Sequence, residues 1–144
     1  MDHVAIMKKS WGLTQKILTR EKNIESRWYR VRYAPWGRIH KGDFVYFKDS
    51  GEPVILRARV QKVLQFQSLT PARVKELLQK YGRDDGIEKK DIHTFFQKFK
   101  HKKYCILVFL KHPERVRSFH INKSGFGAMA SWIIVGDIKL IMVR

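Results

Sequence analysis

Residues 20–27 read R-E-K-N-I-E-S-R, three bases and two acids within one short stretch. A surface that only neutralises phosphate has no use for Glu21 or Glu25 among Arg20, Lys22 and Arg27. From Ile24 the residues alternate, so that Ile24, Ser26 and Trp28 fall on one face of an extended strand and Asn23, Glu25, Arg27 and Tyr29 on the other. Glu25 and Arg27 therefore share a face, with Lys22 at the turn beside them. An acid held between two bases can orient a guanidinium or accept a hydrogen bond, which bases alone cannot do.

The loop that follows, Arg27 to Lys41, mixes bases with Trp28, Tyr33 and Trp36. Bases there would bind phosphate and exposed rings would stack on unpaired bases. The competing reading makes the rings core plugs and the arginines a solvated rim, and the sequence leaves both open. The run K-F-K-H-K-K at 98–103 reads as a solvated helix end. No G-x-S-x-G, H-E-x-x-H, P-loop or G-x-G-x-x-G pattern occurs, and G-F-G at 125–127 reads as a tight turn. Six histidines without close pairing and a single cysteine, Cys105, give no metal set, so neither metal nor cofactor is expected. Cys105 sits in the apolar run Y-C-I-L-V-F-L as a core side chain.

A chain of 144 residues supports a single domain, 1–144, and 44% apolar with 12% aromatic residues supply a core. The formal net charge of +17 directs attention to polyanions. No apolar run approaches the length of a membrane span and the N-terminus lacks a secretory signal pattern, so a cytoplasmic protein without membrane contact is expected.

The elements that must position these residues follow from periodicity. His3 to Met7 suits a strand, and Ser10 offers an N-cap for a short helix carrying Leu13 and Ile17, weakened by Gly12. D-F-V-Y-F-K reads as a strand, and Val54 to Phe66 as a long one with Arg57 and Arg59 on its polar face. Thr70-Pro71 starts a helix with Val74, Leu77, Leu78 and Tyr81 on one side and Gly82 as its C-cap. Ile92, Phe95, Phe96 and Phe99 repeat the spacing in a further helix. K-Y-C-I-L-V-F-L reads as a strand that turns at His112 and Pro113 to pair with E-R-V-R-S-F-H-I. A glycine-bearing loop, the strand W-I-I-V and an ambiguous D-I-K-L-I-M-V-R complete the chain. The order implies an α+β fold, a small mixed β-barrel of about six strands with about three flanking helices.

A tryptophan, a short amphipathic helix and then x-x-K-x-x-E-x-R entering a strand resembles the signature of the ASCH domain, a branch of the PUA-like superfamily. Lys22, Glu25 and Arg27 match the pattern G-x-K-x-x-E-x-R, Trp11 matches the helix tryptophan, and Arg20 stands where the family has glycine. The resemblance implies a PUA-like barrel and an RNA-related role, in which RNA or a nucleoside binds a basic cleft beside the motif. Lys22 and Arg27 would then contact phosphate or a base edge, and Glu25 would accept from a base amino group or fix Arg27. Y-F-K-D-S-G and S-G-F-G-A-M resemble cleft-bordering loops and add Ser50 and Ser124 to Trp11, Trp28 and Trp36 as candidate lining groups. Some similar proteins hydrolyse N4-acetylcytidine and at least one is described as a ribonuclease. The similar amidohydrolases carry a threonine nucleophile where this chain has Glu25, so an enzyme of that type would need another nucleophile here, or would use Glu25 as a general base for water beside Lys22. A third reading makes the trio a structural ion pair.

Overall fold

In the computed structural model, which describes residues 1–143, seven strands form one mixed sheet flanked by helices. The strands are β1 (Asp2–Met7), β2 (Ile24–Tyr29), β3 (Phe44–Asp49), β4 (Val54–Phe66), β5 (Tyr104–Ile121), β6 (Trp132–Ile134) and β7 (Met142–Val143). The helices are α1 (Leu13–Leu18), α2 (Pro71–Tyr81) and α3 (Ile92–Phe99). Sheet order is β2-β5-β4-β3-β1-β6 with β7 on the edge of β5. Only β1 and β3 run parallel; the other pairs are antiparallel.

Alternation gives the curled sheet its inner and outer faces. Leu56, Ala58 and Val60 of β4 point inward with Val45, Phe47, Ile106, Val108 and Leu110, and these residues form the half-barrel core. The outer face is covered twice. Val74, Leu77 and Leu78 of α2, with the phenylalanines of α3, pack over Ile24, Trp28, Cys105 and Leu107. At the other end Ile138 and Ile141 close over Val4, Tyr46, Val54 and Phe119. Each fully buried Leu, Ile or Phe contributes about 1.5–3 kcal/mol, so the three clusters carry most of the stability. No helix is long and apolar enough to cross a membrane.

Two local expectations are corrected. Ser10 lies in a 3-10 turn, Lys9–Trp11, and caps nothing; α1 begins after Gly12, whose φ of 63° makes the reversal between the two. The chain does not turn back at His112 and Pro113. β5 runs through them as one strand because β4 is long enough to pair with both halves, from Val54 opposite Phe119 to Phe66 opposite Cys105. His112 takes up the offset with a φ of 52°, near the register shift between Arg57 and Arg59. Pro113 costs no ladder bond on the far side, since β2 pairs only with Tyr104 to Phe109 and β7 resumes at His120. Gly82 is the C-cap of α2 as expected, its N–H on the Leu78 carbonyl, but at a right-handed φ of −55°; an added Cβ would collide with the Leu78 carbonyl and Ile92, so close packing and not a left-handed turn requires glycine there. The ambiguous last stretch contains both a 3-10 turn, Ile138–Leu140, and β7, and Arg144 lies outside the described residues.

Arg20, between α1 and β2, has a φ of 64° and an exposed side chain. A left-handed L-residue costs about 1–2 kcal/mol, partly offset by the greater unfolded-state entropy of glycine. Arg20→Gly is therefore expected to raise the urea midpoint by roughly 1 kcal/mol of stability. A lower midpoint would show that the guanidinium makes contacts worth more than the strain.

Candidate functional site

The junction between α1 and β2 is tied down by backbone before any side chain acts. The Lys22 N–H donates to the Lys16 carbonyl, while the N–H groups of Asn23 and Ile24 both donate to the carbonyl of Asp84, in the turn between α2 and α3. This geometry sends the Lys22 side chain inward, where it is 1% exposed. Its Nζ donates to the Ile24 carbonyl at 2.7 Å, the Asp85 carbonyl at 2.7 Å and Asp85 Oδ1 at 2.5 Å, and lies 3.0 Å from Glu25 Oε1. Three protons facing four acceptors leave the ammonium saturated. Gly86 makes room for it: a Cβ there would stand 3.1–3.3 Å from the Lys22 stem.

Glu25 continues the row. Its Oε2 accepts from Arg27 Nε at 2.9 Å and lies 2.8 Å from Nη2. Arg27 donates onward to the Ser131 and Ile6 carbonyls at 3.2 and 3.3 Å and lies over the Trp132 ring at 5.1 Å. β2 and β6 end the sheet without pairing, so Arg27 bridges the seam that hydrogen bonds between strands leave open. Asp85, Lys22, Glu25 and Arg27 alternate in sign and sum to zero charge.

Burial alone would push Glu25 up, but Lys22 and Arg27 hold its carboxyl below the usual carboxylate range. Burial alone would lower Lys22, but Asp85 and Glu25 raise it above the usual lysine value. Burial, with the Glu25 charge beside it, pushes Asp85 up despite Lys22.

The row lines a cleft of about 260 Å³ along the seam. Trp11, 36% exposed, meets Phe95 edge to face at 5.2 Å on one wall. Trp28 and Phe99 form another wall, stacked at 5.0 Å with 7° between ring planes. Lys8 and Lys98 approach the Trp11 ring at 5.3 and 5.9 Å and make the rim basic. A larger groove of about 1340 Å³ lies beyond Gly86, among Lys16, Arg20, Lys75, Arg83 and Glu88, and contains none of the four charges in the row.

Five of the sequence candidates thus meet: Trp11, Lys22, Glu25, Arg27 and Trp28. Trp36, Ser50 and Ser124 lie elsewhere. Trp36 packs half-buried against Tyr104 at 5.1 Å with Arg32 above it. Ser50 is in the exposed turn after β3, its N–H on the Met7 carbonyl, and Ser124 is exposed with its N–H on Asn122 Oδ1. Sequence reasoning missed Asp85 and Ser26. Asp85 belongs to D-D-G, read as a plain turn, and no local pattern reaches across the 63 residues from Lys22. Ser26 was placed on the apolar face, yet its hydroxyl donates to Asp85 Oδ2 at 2.5 Å and accepts from Trp28 Nε1 at 3.0 Å. Among the described residues no His, Cys, Asp and Glu grouping could hold a metal ion.

Glu25→Gln leaves Lys22 and Arg27 without their shared anion and is expected to cost about 3–5 kcal/mol. The folded-state pKa of Glu25 is lowered, so its stabilisation is present above the unfolded value of about 4.3 and fades as pH falls through the folded value. Urea melts of both proteins across pH should show the gap widest above about pH 5 and closing at more acidic pH. A gap independent of pH would refute the assignment of the ion pairs as its source.

No protein-family model and no curated protein matches the sequence. Solved structures do match its fold. The ASCH protein of Zymomonas mobilis superposes with a TM-score of 0.64 at 15% identity, covering 93% of this chain and 87% of its own. A tyrosine-to-phenylalanine variant of it gives a TM-score of 0.68 at 14% identity, over 96% and 93% of the two chains. From β1 to the C-terminal strand, the chain has the fold of the ASCH proteins.

Proposed function

We propose that the chain is an ASCH-type RNA-binding module of the PUA-like superfamily, which takes a base or nucleoside into the seam cleft. The observation that carries this reading is the coincidence of a buried, alternating charge row with an open, aromatic-walled cleft. Buried ion pairs add little net stability over apolar packing, so a purely structural seam would be served as well by apolar residues. A cleft of about 260 Å³ is small beside the usual range of about 300–1,000 Å³ and suits one base more than a stacked strand.

The geometry revises the roles within the site. The Lys22 ammonium is saturated by protein acceptors and serves to position Glu25 rather than to touch phosphate. Glu25 Oε1 has one partner, Lys22, and keeps accepting capacity for a base amino group. Arg27 is fixed by Glu25 and the two seam carbonyls. The exposed Trp11 ring supplies a stacking surface and the surrounding positive charge supplies attraction. A raised Lys22 and a lowered Glu25 are poor material for a nucleophilic amine or a general base near neutral pH, which favours binding over hydrolysis. In this reading the protein works on RNA in the cytoplasm.

Titration with nucleosides and short RNAs, followed by amide shifts and tryptophan fluorescence, tests the proposal. Saturable shifts at Trp11, Glu25 and Arg27 are expected, and Trp11→Ala should weaken binding roughly tenfold, within the range for loss of one stacking ring. Absence of any response would overturn it. Turnover of N4-acetylcytidine that disappears in Lys22→Met would replace it with the hydrolase reading.

A further inference from the structure

Between its two covered ends the outer face of the sheet has an uncovered window. Phe44, Arg59 and Lys111 lie directly opposite one another across β3, β4 and β5; on the neighbouring rung Arg57 and Glu114 continue the window, and the buried Tyr46 marks its edge against the covered end. Lys62, farther along β4, faces Phe109. β4 and the outer half of β5, 110–121, together hold six bases and one acid. That acid, Glu114, is engaged by Arg57 at 2.5 Å. Among the described residues no carboxylate pairs with Arg59, Lys62 or Lys111.

Folding alone gives no reason for this arrangement, because like charges directly opposite on neighbouring strands destabilise a sheet. Arg59 and Lys111 are such a pair. The arginines are also held in place. The guanidinium of Arg57 lies 4.5 Å and that of Arg59 4.0 Å from the Phe44 ring centre, and Arg59 Nη1 donates to the Gly42 carbonyl at 3.1 Å. Phe44 therefore works as a seat for two cations rather than as a stacking surface for bases. A guanidinium lying on a ring keeps edge N–H donors for phosphate oxygens, and its ordering cost is already met by the fold.

We propose that this window is a contact surface for the sugar-phosphate backbone of a nucleic acid, gripped without regard to sequence. β4 and β3 are the middle strands of the curled sheet and the seam lies between its two ends, so the window sits across the barrel from the cleft. It acts whether or not the cleft takes a base. Phosphate contacts position a nucleic acid and carry no base information, which is what a rung of cations without free acceptors can provide.

Binding of fluorescent oligouridylate, measured by anisotropy over a series of salt concentrations, tests the proposal. Arg59→Gln/Lys111→Gln is expected to weaken binding at least tenfold at low salt. It should also make the log–log salt slope shallower by about 1.4, since each single-strand phosphate contact contributes about 0.7. The control Lys75→Gln/Arg83→Gln removes the same charge from the exposed α2 side and should leave the slope unchanged; thermal melts confirm that both variants fold. Equal loss of slope in both variants would reduce the effect to diffuse charge and overturn the proposal. So would absence of oligouridylate binding by the wild type, or equally tight, equally salt-dependent binding of polyglutamate. A failed cleft reading looks different, because nucleosides would then produce no shifts while the difference in slope persisted.

Discussion

One buried ammonium organises this structure. Removing the Lys22 charge from water carries a penalty of several kcal/mol, which only close acceptors can return. Its four acceptors come from two places distant in sequence, the start of β2 and the turn that joins α2 to α3. The helical excursion between β4 and β5 therefore has a fixed point to return to. Asp85 must arrive at Lys22, and the same turn supplies the Asp84 carbonyl that accepts two N–H groups from the beginning of β2. With that turn anchored, α2 and α3 lie against Trp28 and Cys105, which explains why α3 keeps its place with no fully buried residue of its own.

The seam is the second consequence. A closed barrel would pair β2 with β6, but the sheet ends at both strands and the gap is crossed by a side chain. Arg27 suits this crossing because a planar guanidinium can serve Glu25 with one edge and carbonyls with its remaining donors. An apolar closure would have filled the gap. A polar one stands on hydrogen bonds of fixed length and leaves the space between the Trp11 and Trp28 walls open, so the cleft and the closure of the barrel share one origin.

What the sequence disclosed, and what it hid, divides along the same line. Period and caps were enough for β4, with its inward Leu56, Ala58 and Val60, and for α2, whose Thr70 side chain accepts the Arg73 N–H as an N-cap should. Glu25 and Arg27 were visible as residues of one strand face. Relations set by distant partners were hidden. Pro113 looks like a turn until β4 is known to be long enough to carry β5 past it. Trp36 looks like a cleft ring until loop 30–43 is seen to set it against Tyr104. Asp85 looks like any turn aspartate, because its lysine lies 63 residues away and already has Glu21 and Glu25 beside it in sequence.

Charge is divided between two electrostatic regimes. Inside, the two bases and two acids of the row are largely buried and balance one another, so their mutual attraction is screened by salt less than that between surface charges. Outside, an excess of seventeen positive charges is spread over the surface, where every ion a solution supplies weakens it. A protein of this composition could not select among anions by surface charge alone, because all anions are attracted alike. Selection needs an acceptor that cations elsewhere do not swamp. In the proposed reading Glu25 is that acceptor, because Lys22 and Arg27 hold its carboxyl below the usual carboxylate range and bond it in place.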